Sequence, residues 1–402
     1  MVSTVTPYTD TRNRAYAGEG FDGVVRVAAG GYYGTGILLY DGHAVLTAAH
    51  LFTNNSSVSA SVLFETTAGQ QTVTATRITP LLSYDAAQGN DDLALVWLSS
   101  SAPVTAERYN LYRNSDEIGK TLTMVGYGLP GTGAAGELTS YSGNPIRLKA
   151  SNQFDAEAST LKSWLGPGMG WTPKAGSQLI ADFDNGTTAQ DALGRLINLH
   201  GTGLGQDEGL VAPGDSGGPA FINGQVAGIA SYTASLQTSY ASPDIDRVTN
   251  SSFGEVAAWQ RVSYYQQWID QNLRAQLPNA PTKQEQVQKT VTEGSSGTTY
   301  AYFLLQFTGV RSDPNQLLSV DYTTRDGTAK AGQDYLAAHG TLRLYPNENQ
   351  AVIPVEVIGD TTPEPDEIFY LDVSNPVGGS FGEGVVKLTA VRTILNDDGI
   401  FA

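Results

Sequence analysis

From Val24 onward the sequence is cut into short runs rich in β-branched and aromatic residues: VVRVAA, GTGILLY, HAVLTAA, SVSASVLFE, QTVTATRIT, DLALVWL and TLTMVGYG. Gly, Asn, Asp or Ser punctuates them, and runs of this length between turn residues pair as strands rather than coil into helices. With 45 glycines in 402 residues, turns are plentiful, and the length suits two domains better than one core. An all-β fold is therefore expected. Helical periodicity first appears from Glu255 to Leu273 (EVAAWQRVSYYQQWIDQNL), where Val262, Tyr265, Trp268 and Ile269 recur at three- and four-residue spacing. A helix there would end the first domain. The polar, proline-bearing stretch Arg274 to Gln286 reads as a linker, and a second β-rich unit runs from Val287 to Asp398.

Charge and composition then remove whole classes of function. With 23 basic and 40 acidic side chains the formal charge is -17, so a phosphate backbone or an anionic lipid surface is repelled and nucleic acid is not an expected partner. No Cys is present, which rules out disulfides, a thiolate nucleophile and thiolate metal ligands. No run approaches the roughly 18 to 20 apolar residues that span a bilayer, and MVSTVTPYTDTRNR lacks the charged-then-apolar pattern of a signal peptide. Membrane insertion is not expected. A GxGxxG match at Gly131, Gly133 and Gly136 leads into no helix, and without a helix N-terminus it has no means to hold a pyrophosphate.

The segment Gly214-Asp215-Ser216-Gly217-Gly218-Pro219 carries the most chemistry. A serine hydroxyl attacks only when a base takes its proton and N–H donors receive the oxyanion. Glycines beside Ser216 permit a turn that aims the N–H groups of Gly214 and Ser216 at one point, although a solvated hairpin serine would carry the same residues. The base should be one of four histidines, His43, His50, His200 or His339. His50 ends the buried-looking run Ala44–Ala49, whereas His43 and His200 sit in turn or Gly-rich loop sequence and His339 lies in the second unit. A carboxylate must then hold the imidazole tautomer. Asp91 and Asp92 both precede the apolar run Leu93–Leu98, and Asp92, directly against the strand, is the one expected to be carried inward.

LTAAH, DDLAL and GDSGGP, in the order His, Asp, Ser, resemble the three signature blocks of the chymotrypsin/trypsin family. The resemblance extends over about residues 15 to 273 and includes Gly126-Tyr127-Gly128 and Ile229-Ala230-Ser231-Tyr232. It implies two β-barrels with a C-terminal helix and an active site in the cleft between the barrels. By the same resemblance His50 is the general base, Asp92 orients it, Ser216 is the nucleophile and Gly214 with Ser216 forms the oxyanion hole. Ser231 supports Asp92, and Asp215 pairs with an N-terminus released by cleavage. The nearest counterpart to the family's new N-terminus is Ala15-Tyr16-Ala17-Gly18 after Arg14, which would make residues 1–14 an extension or propeptide. The resemblance also implies a substrate pocket: counting back from Ser216 puts Leu210 at the position of the family's pocket floor, with Thr233 and Ala257 on its walls. An uncharged floor leaves a basic P1 side chain unpaired, so an apolar P1 is expected.

Between Val287 and Asp398 acidic clusters adjoin β-like runs, where converging carboxylates would repel unless a hard cation joined them. The order VxEG, DGTAxAGxDY, DxxxExxDExF, LxxSNP and TIxNDD is similar to that of a Calx-β domain, an immunoglobulin-like β-sandwich. That resemblance implies Ca2+ ligands at Glu293, Asp334, Asp360, Glu364, Glu367, Asp397 and Asp398. Asn396 stands where many members have Asp, and Gly359 replaces a frequent acid. In the first domain Asp182-Phe183-Asp184-Asn185-Gly186 with Asp191 reads either as a calcium loop or as an Asx-rich turn.

The expected division is 1–14, a protease domain over 15–273, a linker over 274–286 and a Calx-β domain over 287–402. The expected activity is serine endopeptidase hydrolysis of a protein or peptide substrate, with no cofactor in catalysis and Ca2+ in the C-terminal domain. The alternative is a catalytically silent, protease-like adhesion or binding protein. Domains of the second type are common in adhesins and extracellular multidomain proteins, and with no Cys and no N-terminal signal pattern an extracellular setting, reached by bacterial export, is expected. No sequence feature specifies an oligomeric state.

Overall fold

The computed structural model describes residues 2–52 and 59–399. The chain divides into two compact units, residues 1–39 with 43–266, and residues 40–42 with 267–402.

In the first unit the strands Val24–Ala29, Tyr32–Leu38, Ala44–Thr47, Ala94–Leu98, Gly69–Pro80 and Ala60–Thr66 close into a six-stranded barrel, in that order around the wall. The alternation of Ala60–Thr66, buried at every second residue, is the period-2 signature of a wall with a filled interior. Val25, Val27, Val45, Phe64, Val73 and Val96 fill it. The start of the expected run Ser57–Glu65 and the end of the loop after His50 lie outside the described residues.

A seven-stranded sheet builds the second barrel, in the order Leu148–Gln153, Thr121–Gly126, Pro219–Ile222, Gln225–Ala234, Val256–Arg261, Gln178–Asp182 and Ala156–Glu157. Its core is formed by Phe154, Leu179, Phe183, Leu210 and Trp259. The fold is thus the chymotrypsin-like double barrel. Two expectations are corrected in this unit. Val256–Arg261 is a strand, and the helix starts only at Val262 and runs to Gln276. Residues 256–261 are fully buried and hydrogen-bond to strands on both sides, so pairing on two edges overrides the helical spacing. Two short helices, Ala158–Leu165 and Ala192–Ile197, come before Glu255, where the first helix was expected.

Residues 2–14 are not a detached extension. Val2–Thr4 is a wholly buried strand paired antiparallel with Gly209–Val211 and parallel with Gly131–Thr132. Ala15 is itself buried and its N–H donates to the Arg147 carbonyl. The Arg147 guanidinium, also buried, donates to the carbonyls of Ala15, Val24 and Glu65 and to the Asp22 carboxylate. Cleavage after Arg14 would therefore release a core strand rather than trim a tail. Gly131, Gly133 and Gly136 form a tight hairpin, with the Phe253 ring packed where a Cβ at Gly133 would lie.

The second unit is a β-sandwich. One sheet orders Thr290–Thr292, Lys387–Leu395, Glu367–Val377, Leu318–Asp326 and His339–Leu344, and the other pairs Thr298–Gln306 with Gln350–Ile358. Phe303, Tyr335, Ile353, Val355, Phe369 and Leu371 fill the space between the sheets. The expected linker is not free, since the Arg274 guanidinium pairs with Glu348 and the carbonyls of Pro278 and Thr282 accept hydrogen bonds from Tyr302 and Gln350.

Candidate active site and acidic clusters

His50 sits in the 3-10 turn Ala49–Phe52 that follows strand Ala44–Thr47, and Asp92 lies just before strand Ala94–Leu98. These strands are antiparallel neighbours with Thr47 opposite Ala94, so both residues emerge at the same end of the barrel. Asp92 Oδ1 accepts from the His50 backbone N–H at 2.8 Å, and Oδ2 lies 2.7 Å from His50 Nδ1. A carboxylate can only accept, which places the proton on Nδ1 and leaves Nε2 as the basic nitrogen. The Ser231 hydroxyl donates to the same Oδ2 at 2.6 Å. Asp92 is almost fully buried, while the His50 side chain is 30 % exposed.

Ser231 stands at a break in register between Ala230 and Tyr232 in strand Gln225–Ala234. A bulge of this kind re-aims a side chain that regular pairing would send elsewhere. Asp91 takes the left-handed backbone conformation, φ 56°, and its carboxylate faces away from His50, toward the Tyr265 hydroxyl at 2.8 Å and the Lys174 ammonium. The doublet thus splits, one acid toward the imidazole and the other bracing the second barrel.

Half-buried Ser216 lies in the loop between strands Gly209–Val211 and Pro219–Ile222. Asp215, beneath it, accepts from the N–H groups of Gly128 at 2.8 Å and Ala212 at 2.9 Å. Burial raises its carboxyl to about 6. Gly214 has φ +94°, open to glycine but costly for other residues, and its carbonyl accepts from Thr35 Oγ1 at 2.9 Å. Gly217 donates to the Ala230 carbonyl at 2.8 Å. A Cβ on Gly217 would fall 2.0 Å from Thr47 Oγ1 and 2.8 Å from Ala48 N, so the serine loop is pressed onto the strand that leads to His50. Among the described residues neither the Gly214 nor the Ser216 N–H donates within the protein.

A cavity of about 480 Å³ opens beside His50. Tyr84, Trp171, Tyr232 and Thr233 line it with His50 and Ser231, and the Trp171 and Tyr232 rings meet edge to face at 5.6 Å. Of the three expected pocket residues only Thr233 reaches this cavity. Leu210 and Ala257 are corrected: both have no exposed surface and pack into the core with Trp259 and Phe183. Leu210 lies in strand Gly209–Val211, opposite Ser3 of strand Val2–Thr4.

In the sandwich two carboxylate triplets form, Glu293 with Asp397 and Asp398, and Asp334 with Glu364 and Glu367, their oxygens within 4.8 Å of one another in each. Burial and then the charges of Asp360, Asp398, Glu364 and Asp397 push Glu293 up to about 7. Burial, Asp334 and Asp360 raise Glu364 as well, so Asp360 is felt by both groups. Glu293 Oε1 and Asp398 Oδ2 are buried with no hydrogen-bond partner, the condition a cation would relieve. Asn396 Nδ2 donates to the Gly399 carbonyl and its Oδ1 accepts from Asp398 N, which ties it into the turn that carries Asp397 and Asp398.

The Calx-beta domain family matches residues 285–398, and the Trypsin family matches residues 11–154. Human sodium/calcium exchanger 2 is 39 % identical over 114 residues, 25 % of this chain and 12 % of the exchanger. The Drosophila melanogaster sodium/calcium exchanger Calx is 41 % identical over 97 residues, 23 % of this chain and 10 % of its own. The chain thus spans about a tenth of the length of these curated relatives. Among solved structures, mouse neuropsin, a serine protease, aligns with a TM-score of 0.44 and 16 % identity over 63 % of this chain and 94 % of its own. The chain carries a trypsin-family domain followed by a Calx-beta domain.

Proposed function

We propose that the protein is a serine endopeptidase in which Ser216 is the nucleophile, His50 the general base and Asp92 the group that orients it. The observation that carries this is the hydrogen-bonded line Ser231–Asp92–His50, with the Ser216 loop pressed against the strand leading to His50. His50 Nε2 takes the Ser216 proton as Oγ bonds to the substrate carbonyl carbon, and the carbonyl oxygen becomes an oxyanion between the N–H groups of Gly214 and Ser216. The imidazolium then gives its proton to the departing amine, leaving an acyl-enzyme. Water, deprotonated by His50, attacks that ester, and Ser216 recovers its proton.

The walls beside His50 are aromatic, with Tyr84, Trp171 and Tyr232, which favours apolar side chains in the substrate. Thr233, the one expected pocket residue that lines this cavity, is uncharged, in keeping with an apolar P1. A Ser-directed fluorophosphonate probe tests the reading: wild type should label and Ser216→Ala should not. Absence of label on wild type, with and without calcium, would favour a silent binding protein.

The two sandwich triplets are proposed as calcium sites, held by Glu293, Asp397 and Asp398 and by Asp334, Glu364 and Glu367, with Asp360 between them. Buried oxygens without partners suit the ion, and the relatives are named as sodium/calcium exchangers. The ion would neutralise carboxylates that otherwise repel, an arrangement that suits the calcium levels outside cells. A calcium titration followed by melting temperature should show a rise that Glu293→Gln diminishes. A flat response at millimolar calcium would remove the proposal.

A further inference from the structure

The loop joining strand Gln178–Asp182 to strand Gly209–Val211 in the first unit begins with a third group of acids. One carboxylate oxygen each from Asp182, Asp184 and Asp191 lies within 4.8 Å of the others, and all three residues are buried. Asp184 is 5 % exposed, and its Oδ1 is buried with no hydrogen-bond partner. The neighbours are otherwise engaged. Asp182 Oδ2 accepts from Leu193 N at 2.7 Å, Asp191 Oδ1 from Gly194 N at 2.7 Å, and Asp191 Oδ2 faces His200 Nδ1 at 3.1 Å. Each of those oxygens keeps a second lone pair. The Asx turn that such a sequence also suggests is present, but Asn185 makes it by accepting from Thr187 N, and the three aspartates take no part.

We infer that Asp182, Asp184 and Asp191 bind a calcium ion within the protease domain, separate from the sandwich. Calcium sits about 2.3 to 2.6 Å from each oxygen ligand, so oxygens sharing one ion stand up to roughly 5 Å apart, a limit that the three carboxylates meet. Among the described residues no N–H or O–H group reaches Asp184 Oδ1. A cation answers the desolvation of that oxygen and the repulsion among three buried acids together. The ligands are all oxygens and no His or Cys joins the triplet, which selects a hard ion over zinc or copper.

The site would brace the approach to the nucleophile. Glu208, at the far end of this loop, accepts from Asp184 N at 2.7 Å and from Leu204 N, and strand Gly209–Val211 runs on to the Ser216 loop. The experiment uses the full chain carrying Glu293→Gln and Glu367→Gln to disable the sandwich triplets, with calcium binding counted by equilibrium dialysis. One equivalent should remain, and adding Asp184→Asn should weaken it at least 100-fold. No retained calcium, or retention unchanged by Asp184→Asn, overturns the inference. A second readout needs no Asp184 variant: hydrogen exchange over residues 183–208 of the sandwich-disabled protein should slow on adding calcium but not magnesium at equal concentration, and unchanged exchange overturns it. In chelator, Asp184→Asn should melt above its parent because repulsion is relieved, and in calcium below it. A merely structural aspartate would lower the melting temperature in both.

Discussion

Adjacent residues in this chain have opposite fates. Asp91 and Asp92 are chemically identical, yet a left-handed turn at Asp91 sends one carboxylate to Tyr265 and Lys174 and the other to His50. Changing Asp92 to Asn would reverse the tautomer that Nδ1 donation enforces, and kcat for peptide hydrolysis should fall by about four orders of magnitude with the fold intact by circular dichroism. Ser231→Ala removes one of the hydrogen bonds on Asp92 Oδ2. A loss of roughly tenfold in kcat with KM unchanged is expected, in line with about 1.4 kcal/mol for one hydrogen bond to a buried charge. An equal effect on KM would mean that Ser231 acts on substrate instead.

At the scale of elements, buried polar ties set what local propensity leaves open. Arg147 and Asp22 form an ion pair at 2.7 Å with both side chains almost without exposure, and the same guanidinium fastens three carbonyls. Asp22→Ala should therefore cost about 3 to 5 kcal/mol, since it strands a buried cation, read as a lower denaturant midpoint. In the sandwich, Asp372 on strand Glu367–Val377 accepts from Arg325, Lys387 and Thr389. Hydrogen bonds from Arg325 first, and then from Thr389, hold its carboxyl down at about 2, below the ordinary 3.8. Its stabilisation is present above pH 3.8 and is lost as pH falls through 2. Because Arg325 and Lys387 are half exposed, about 1 kcal/mol is expected. Melting curves of wild type and Asp372→Asn should differ at pH 7 and converge near pH 2.

For the whole molecule, calcium is the expected lever. With oxygens of Glu293, Asp398 and Asp184 buried without partners, chelation should lower the melting temperature. Glu293→Gln, Glu367→Gln and Asp184→Asn together should remove most of the calcium dependence, as each variant alone removes a part. The organisation was legible because short β runs, their turn residues and three chemical blocks in fixed order leave few architectures open. Asp92 was singled out from Asp91 because it directly abuts the apolar run, and it is the acid that meets His50. The strand at Val256–Arg261 was not legible, because its spacing suits a helix and only pairing on both edges decides otherwise. Leu210 and Ala257 were misplaced for a similar reason, as a count along the chain does not say which face of a strand is covered. By itself the sequence determined the strand-rich fold class and the residue types on which chemistry depends. Tertiary structure alone decided that residues 2–4 form a buried, paired strand and which acids crowd together. Those outcomes depend on backbone pairing between distant segments, a non-local free energy that no window of sequence contains.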